Sequence, residues 1–194
     1  MLKIYGDIVS GNCLKVKWLI DHLKIDYKWI DVDVIAGGAR TPEMLALNPA
    51  GQVPFAVMED GWVLAQSNAI LLHFAEGTDM IPAEGRRRAR MLEWLFWEQY
   101  SHEPYIAVAR FQRKYLGKTA EEIEPKLMER GYAALIRMEA ALENGGFLAG
   151  PAPTLADLSL VAYTRMAGDG GFDLTPFPAV QDWIGRVEAA FDIR

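Results

Sequence analysis

Cysteine is almost absent from this sequence of 194 residues, which contains a single one, Cys13. One thiol cannot form a disulfide within the chain, and it excludes a structural zinc site built on two or more of the chain's own cysteines. The three histidines, His22, His73 and His102, are scattered along the sequence. The sequence therefore predicts a protein without a metal site.

Long apolar stretches and an excess of positive charge are also lacking. No apolar run approaches the ~20 residues that a helix needs to cross a bilayer, and the first residues, MLKIYG, resemble a strand rather than a signal peptide. The formal net charge of −6 disfavours a dedicated nucleic-acid binder, because phosphate neutralisation needs a basic surface. We therefore expect a cytoplasmic protein with neither a membrane nor a nucleic acid as partner.

Apolar side chains are plentiful, at 51% of the residues, which is enough to bury a sizeable core. The first 78 residues predict the order strand, helix, strand, helix, strand, strand, helix. Thr41 followed by Pro42 is typical of a helix start, and Asp60-Gly61 between two apolar runs predicts a tight antiparallel hairpin. The predicted strands include residues 2–5 and 27–34, and the predicted helices include 12–24 and 67–77.

Everything after this part has a helical pattern. One helix is predicted from Arg86 onward with a bend at Pro104, because proline lacks the backbone donor of a helix interior. Another is predicted from Thr119, where Glu122 three residues later completes a capping box. The remaining two are predicted to begin at Thr154, which has Asp157 in the same relation, and after Pro178.

Four motifs together carry a family resemblance: SGNC at a strand-to-helix turn (10–13), NPAGQVP (48–54), QSNAILLHFAE (66–76) and PTLADLSLVAY (153–163). In this order and spacing they resemble a cytosolic glutathione S-transferase, with a serine-containing turn like that of theta- and phi-like members. The resemblance implies an α/β thioredoxin-like domain (βαβαββα) over residues 1–78, a linker over 79–85 and an all-helical domain over 86–194. It also implies a homodimer, active in detoxification.

The resemblance places glutathione, the expected co-substrate, on the first domain. Gln52, Val53 and Pro54 precede the third strand, where Pro54 would be cis and Val53 would pair with the cysteinyl part of glutathione. Ser67 lies at a predicted helix start, whose free N–H groups and dipole can hold the γ-glutamyl carboxylate. Gln66 would bind the same end of glutathione through its side chain.

Arg40 would reach the glycyl carboxylate of glutathione, since a guanidinium suits a carboxylate. Some relatives carry a histidine one position earlier, where this chain has Ala39. The alternative for Arg40 is a solvated arginine on a loop.

Catalysis is assigned to Ser10, with Asn12 as a second possible donor. A thiol with a pKa of about 8.5 is mostly protonated near neutrality, and lowering that pKa by two units requires roughly 2.7 kcal/mol. A hydrogen bond to a charged acceptor supplies ~1.5–3 kcal/mol, and a helix N-terminus adds ~0.3–1 kcal/mol. One hydroxyl at the start of the first helix is therefore sufficient to hold the glutathione thiolate. A plain N-cap serine is the alternative.

Cys13 occupies the second cysteine position of the C-x-x-C motif of thioredoxin-like redox proteins, and Ser10 occupies the first. Dithiol exchange within the chain is thereby excluded. Either Cys13 is a small buried side chain of the first helix, or an accessible thiol forms a mixed disulfide with glutathione.

A small hydrophobic electrophile is expected as second substrate, with Tyr105, Val108 and Phe111 as candidate pocket residues. Such a stripe is equally compatible with core packing. The expected activity is addition of glutathione to this electrophile. The alternatives are glutathione-dependent reduction of peroxides or disulfides, and a non-catalytic interaction module that retains the fold.

Overall fold

A computed structural model describes residues 1–193, which form two compact units, one over residues 1–77 and a second beginning at Thr78. The first unit contains four strands and three helices in the order expected from the sequence. These are β1 (Leu2–Gly6), α1 (Gly11–His22), β2 (Tyr27–Asp31), α2 (Pro42–Leu47), β3 (Phe55–Val57), β4 (Val63–Ala65) and α3 (Ser67–Ala75).

The four strands form one mixed sheet in the order β2-β1-β3-β4. β1 and β2 are parallel and are connected through α1, whereas β3 is antiparallel to both β1 and β4. The predicted α/β thioredoxin-like fold of this part of the chain is confirmed, and so are the helix start at Thr41 and the hairpin at Asp60-Gly61.

The strand register determines which loops lie together. Gly6 lies opposite Asp31, so β1 and β2 end at the same edge of the sheet. Phe55 lies opposite both Tyr5 and Ala65, so β3 begins where β1 and β4 end. We call this edge of the sheet the carboxyl edge. The four chain segments next to it are 7–10, 32–41, 51–54 and 66–67.

β2 is shorter than the strand predicted over residues 27–34, because the chain turns away after Asp31. The Asp7 carboxylate accepts a hydrogen bond from the backbone N–H of Val34 at 2.9 Å and a second from that of Val9 at 3.0 Å. Asp7 thereby connects the loop after β2 to the turn after β1, and the connection competes with further strand pairing.

The second unit is helical, as predicted. Its α-helices are α4 (Gly85–Trp97), α5 (Glu103–Arg110), α6 (Pro125–Leu142), α7 (Leu155–Thr164) and α8 (Pro178–Phe191). A π-helical turn over Glu98–His102 separates α4 from α5 immediately before Pro104, which is the predicted place of the bend. A second π-helical turn, Phe111–Tyr115, ends α5.

The helix predicted from Thr119 begins later, at Pro125. Glu122 does accept a hydrogen bond from the backbone N–H of Thr119 at 2.8 Å, so half of the expected capping box is present. A helix that started at Thr119 would carry Pro125 in its interior, where the ring clashes and a backbone donor is missing. Proline is instead favoured at the first helical position, which it occupies here.

The capping box at Thr154 and Asp157 is confirmed at the start of α7. Both residues are completely buried, because α7 is enclosed along its whole length. None of the helices within residues 1–193 combines the length and the apolarity that a bilayer span requires.

Candidate functional site

Six of the eight residues assigned to glutathione chemistry lie in three of the four chain segments beside the carboxyl edge of the sheet. Their segments are the turn after β1, the loop before β3 and the junction between β4 and α3. Because Phe55 pairs with both Tyr5 and Ala65, these three segments adjoin each other. The six residues are Ser10, Gln52, Val53, Pro54, Gln66 and Ser67. The other two are Arg40, in the fourth segment, which follows β2, and Asn12 in α1.

Asn12 and Ser67 connect two helix N-termini. Both residues lie in the first turn of their helices, α1 and α3, and the Ser67 hydroxyl donates a hydrogen bond to Asn12 Oδ1 at 3.1 Å. A helix N-terminus carries unsatisfied N–H groups and the positive end of the helix dipole. Two of them held together create a position in the first unit that favours an anion.

Ser10 occupies the N-cap position of α1, with an extended backbone. Its carbonyl accepts hydrogen bonds from the N–H groups of Cys13 and Leu14, at 3.0 and 2.9 Å. Within the described chain, however, the Ser10 side chain makes no capping hydrogen bond to α1. The Ser10 backbone therefore stabilises the start of α1, whereas its hydroxyl does not cap the helix.

Cys13 is completely buried in α1. Burial raises the pKa of its thiol to about 11, although hydrogen bonds from the Asp7 backbone and the Ser10 side chain oppose that shift. The thiol is accordingly protonated near neutrality, where it is a poor nucleophile. A Cβ atom on the neighbouring Gly6 would lie 3.2 Å from Cys13 Cβ and 2.5 Å from the Trp29 ring, so the side chain fills a tightly packed region.

The loop before β3 is organised by Asn48, which sequence reasoning did not identify as a site residue. Its side-chain amide donates a hydrogen bond to the Gln52 carbonyl at 2.7 Å, and its side-chain oxygen accepts one from Ala50 N–H at 3.3 Å. The Asn-Pro pair that opens the motif is a turn signal and was the available clue. The Val53–Pro54 peptide bond is cis, as expected.

The backbone polar groups of Val53 are unpaired within the described chain. No residue from 1 to 193 forms a hydrogen bond with the N–H or the C=O of Val53, whose peptide bond to Pro54 is cis and which lies outside β3. Unpaired backbone groups beside a sheet can pair with an extended peptide.

Gln66 has an unusual backbone conformation, with φ of 71° and ψ of 113°. This region is disfavoured for any residue with a side chain, and such conformations cost of order 1–3 kcal/mol each. Gln66 is held there between β4, which ends at Ala65, and α3, which starts at Ser67. Strained residues of this kind are concentrated at functional sites.

Arg40 ends a short 3-10 turn over Gly38–Arg40 and lies along the loop that precedes β3. A Cβ atom on Gly51 would lie 3.3 Å from Arg40 Cγ, and Gly51 itself has a φ of +61° that favours glycine. Within residues 1–193 no carboxylate forms an ion pair with the guanidinium of Arg40. Its charge remains available to an anionic ligand.

Comparison with known proteins identifies the family of both units. The model for the glutathione S-transferase N-terminal domain matches residues 9–76, and the model for the glutathione S-transferase C-terminal domain matches residues 95–190. This chain belongs to the glutathione S-transferase family.

Among solved structures, a glutathione S-transferase from Pseudomonas fluorescens Pf-5 shares 46% sequence identity, with a TM-score of 0.93 over 97% of this chain and 94% of that one. The disulfide-bond oxidoreductase YfcG of Escherichia coli is 30% identical over 93% of this chain and 87% of the relative. Glutathione S-transferase 3 of Zea mays is 34% identical over 80% of this chain and 73% of the relative. Family members similar to this chain therefore bear the names of different activities.

In this glutathione S-transferase family member, the three residues predicted for the second substrate lie in the second unit. Tyr105 is half-buried and lines a cavity of about 360 Å³ between α6 and the segment from Trp97 to α5. Val108 and Phe111 do not line that cavity, and 37% and 38% of their surfaces are exposed. The ring of Phe111 packs against that of Tyr115, with centroids 5.9 Å apart.

Proposed function

We propose that the protein binds glutathione at the carboxyl edge of the sheet and transfers it to a small hydrophobic electrophile. The observation that carries this proposal is the convergence, next to the loop before β3, of two helix N-termini joined by the bond from Ser67 to Asn12. An anion is favoured at the joined N-termini and an extended peptide at the adjoining loop, and glutathione is an anionic peptide.

Each end of glutathione has a proposed partner. The γ-glutamyl carboxylate would accept hydrogen bonds from the first turn of α3 at Ser67, beside the Gln66 side chain. The cysteinyl part would pair with the backbone of Val53, after Gln52 and next to cis-Pro54. The glycyl carboxylate would bind the guanidinium of Arg40.

The proposed chemistry depends on a thiolate. The Ser10 hydroxyl, which does not cap α1, would donate a hydrogen bond to the sulfur of glutathione, with Asn12 as a second donor. The sulfur lone pair then attacks the electrophilic carbon. Either the leaving group departs with its bonding electrons or, in an addition, the resulting carbanion takes a proton. Tyr105, Val108 and Phe111 are the proposed contacts of the electrophile.

Calorimetric titration with reduced glutathione near neutral pH tests the binding step. We expect one site per chain, and at least tenfold weaker binding in Ser67→Ala and Arg40→Gln, because each removes a partner of a carboxylate. Thr175→Ala, an exposed threonine of the second unit, is the matched control. Absence of saturable binding up to several millimolar would refute the proposal.

Turnover of 1-chloro-2,4-dinitrobenzene tests the transfer step, because its chloride is displaced by thiolates. Formation of the conjugate at a rate that depends on protein and on glutathione supports the transferase function. Binding of glutathione without any turnover of this or other electrophiles would leave a glutathione-binding protein with another activity.

The similarity to YfcG, which is named a disulfide-bond oxidoreductase, favours a second candidate function. In this reaction two glutathione molecules reduce one disulfide, giving oxidised glutathione and two thiols. The buried Cys13 is not required, because the thiolate of glutathione attacks the disulfide directly. Glutathione-dependent reduction of 2-hydroxyethyl disulfide, measured beside conjugation, separates the two functions, and Cys13→Ala is expected to retain the reductase activity.

A homodimer and a cytoplasmic location are proposed from the membership of the family. Sedimentation equilibrium of the purified chain tests the first, with a mass of about twice 21.7 kDa as the expected result. Fractionation of cells that express the protein tests the second.

A further inference from the structure

Asp7 lies in the turn after β1 and connects two of the segments at the carboxyl edge. Its Oδ1 accepts a hydrogen bond from the N–H of Val9 at 3.0 Å, and its Oδ2 accepts one from the N–H of Val34 at 2.9 Å. An ionised carboxylate has two acceptor oxygens and no donor, which suits two backbone N–H groups. Both oxygens are used in this way, one on each segment.

The turn that Asp7 holds ends at Ser10, the residue proposed to bind the sulfur of glutathione. The Ser10 N–H donates a hydrogen bond to the Asp7 carbonyl at 3.0 Å, and the Asp7 carboxylate binds Val9, the residue directly before Ser10. Backbone and side chain of Asp7 thus both hold the turn. The position of the Ser10 hydroxyl therefore depends on Asp7.

The loop after β2 extends the contact with Asp7 to Arg40, the proposed partner of the glycyl carboxylate. The Val34 carbonyl accepts a hydrogen bond from the N–H of Gly37 at 3.3 Å, and the Gly37 carbonyl accepts one from the N–H of Arg40 at 3.0 Å. A continuous series of hydrogen bonds therefore runs from the Asp7 carboxylate through Val34 and Gly37 to Arg40.

Further contacts hold this loop together. The Asp33 carbonyl accepts a hydrogen bond from the N–H of Gly38 at 2.7 Å, and Asp33 Oδ1 accepts one from the N–H of Ala36 at 2.9 Å. A Cβ atom on Gly38 would lie 2.7 Å from that carbonyl oxygen, so the close approach requires glycine. Because the loop is bonded on both sides of Val34, a displacement of Val34 also displaces Arg40.

The charge of Asp7 by itself opposes the proposed chemistry. Burial raises the pKa of the Cys13 thiol, and the negative charge of Asp7 adds to that shift. A thiolate bound at Ser10, in the same turn, would experience the same kind of repulsion, and a cation would serve it better. The contribution of Asp7 to the site is therefore its pair of backbone hydrogen bonds and not its charge.

We propose that Asp7 is a positioning residue for glutathione, which fixes the separation between the Ser10 hydroxyl and the Arg40 guanidinium. One residue is the proposed partner of the sulfur and the other that of the glycyl carboxylate, so their separation has to match the distance between two groups of a single ligand. The role rests on the proposed function, since neither residue has this task unless glutathione binds beside them. No contact between Asp7 and glutathione is required.

A graded set of variants separates position from charge. Asp7→Asn removes the charge and leaves one acceptor, so one of the two N–H groups loses its partner whichever way the amide turns. Asp7→Ala removes both acceptors, and Asp7→Glu retains the charge but displaces both oxygens by one methylene. We expect calorimetry to show glutathione binding about tenfold weaker in Asp7→Asn and Asp7→Glu, and weaker still in Asp7→Ala.

A role of the charge alone predicts a different pattern. Asp7→Asn and Asp7→Ala would then have equal affinities, and Asp7→Glu would bind glutathione like the original chain. That pattern would overturn the proposal. If Asp7→Ala does not fold, which circular dichroism checks, Asp7→Asn and Asp7→Glu still distinguish the two roles.

The pKa of bound glutathione responds in opposite directions to the two roles. Loss of the Asp7 charge alone would lower it, because a nearby anion no longer opposes the thiolate. Displacement of the Ser10 hydroxyl would raise it, because the sulfur loses a donor. We expect thiolate absorbance at saturating glutathione to give a higher pKa in Asp7→Asn than in the original chain. An equal or lower value would overturn the proposal.

Glutathione monoethyl ester tests the connection to Arg40, because its glycyl carboxylate is esterified and cannot pair with the guanidinium. Displacement of Arg40 should therefore matter less to the ester. We expect the loss of affinity in Asp7→Asn to be about threefold smaller for the ester than for glutathione. Equal losses would show that Asp7 does not act through Arg40, which contradicts the proposal.

Asp60 provides the matched control. Its carboxylate accepts a hydrogen bond from the N–H of Trp62, two residues later, as that of Asp7 does from Val9. It belongs to the hairpin between β3 and β4, at the opposite edge of the sheet. Asp60→Asn should bind glutathione like the original chain, and a loss equal to that in Asp7→Asn would indicate a general effect of charge and contradict the proposal.

Hydrogen exchange without glutathione distinguishes a failure of this role from a failure of the proposed function. Asp7→Asn is expected to accelerate amide exchange in residues 32–41 about tenfold, and Asp60→Asn to leave it unchanged. Unchanged exchange in Asp7→Asn would overturn the role whether or not glutathione binds. Unchanged glutathione affinity in every Asp7 variant would overturn the role alone, whereas absence of binding to the original chain would refute the proposed function and the role with it.

Discussion

The indole N–H of Trp183 in α8 donates a hydrogen bond to Asp157 Oδ1 in α7 at 2.9 Å, and both side chains are completely buried. The same carboxylate accepts hydrogen bonds from the backbone of Leu148, at 2.9 Å, and of Thr154, at 2.8 Å, and a further one from the Thr154 hydroxyl, at 3.0 Å. One side chain therefore connects a loop, the start of α7 and the middle of α8.

Replacement of Asp157 by alanine is expected to lower the free energy of unfolding by about 3–5 kcal/mol, because several buried donors lose their acceptor together. For a chain of this length the melting temperature should fall by roughly 10 °C. Thermal and urea unfolding measure both quantities. Asp182→Ala, an exposed position next to Trp183, is the control, and equal stability of the two variants would contradict the interpretation.

Replacement of Ser10 by alanine is expected to lower kcat/KM for conjugation by roughly 10–100-fold, because the thiolate loses one charge-assisted hydrogen bond. The pKa of bound glutathione should rise accordingly, and the ultraviolet absorbance of the thiolate as a function of pH measures it. Ser10→Thr retains a hydroxyl and should retain most of the activity. Full turnover by the alanine variant would transfer the role to Asn12.

The bond from Ser67 to Asn12 can be tested by a double-mutant cycle. Asn12→Ala and Ser67→Ala are each expected to weaken glutathione binding about tenfold, and the double variant should weaken it by less than the product of the two, because each single change already removes the shared hydrogen bond. Calorimetry gives the four affinities. Strictly additive free energies would mean that the two residues act independently.

Cys13 is expected to resist thiol reagents in the folded protein. It is completely buried, and a pKa of about 11 leaves almost no thiolate near neutral pH. Ellman's reagent should therefore report close to no thiol in the native chain and one thiol per chain in strong denaturant. Rapid reaction of the native protein would reopen the mixed-disulfide alternative.

The same thiol predicts a loss of stability in alkali. Its pKa is raised from 9.0 in the reference state to about 11 in the folded chain, so the protonated thiol favours the folded state and this contribution disappears as the pH rises through that interval. The loss should reach about 2.7 kcal/mol for a shift of two units. Urea unfolding at several pH values measures it, and Cys13→Ala should lose less stability over the same interval.

Much of the fold could be predicted because its signals are local. The helix starts at Thr41 and Thr154 and the hairpin at Asp60-Gly61 depend on neighbours within three or four residues, and the structure contains all three. The helix start predicted at Thr119 was wrong. The hydrogen bond from Thr119 N–H to Glu122 does form, but it stabilises a helix start less than Pro125 would destabilise a helix interior, so the helix begins at Pro125.

The arrangement of the candidate site depended on contacts between distant residues. Asp7 connects segments 27 residues apart, and the carboxyl edge becomes visible only once the register of β1, β3 and β4 is known. The sequence alone does not predict the cavity between α6 and the end of α4. Lys126 and Arg130, which line it, have the pattern of ordinary exposed cations on an amphipathic helix.

The strand register also fixes what lies at the other end of the sheet. The Asp60-Gly61 hairpin and the first residue belong to the edge opposite the site, where the amino group of Met1 pairs with Glu59 at 2.8 Å. Both are exposed and separated from the site by the full length of the strands. A fluorophore, an affinity tag or an inserted peptide at this hairpin is therefore expected to leave the proposed glutathione site undisturbed, which makes the hairpin a suitable attachment point for immobilising the protein on a sensor.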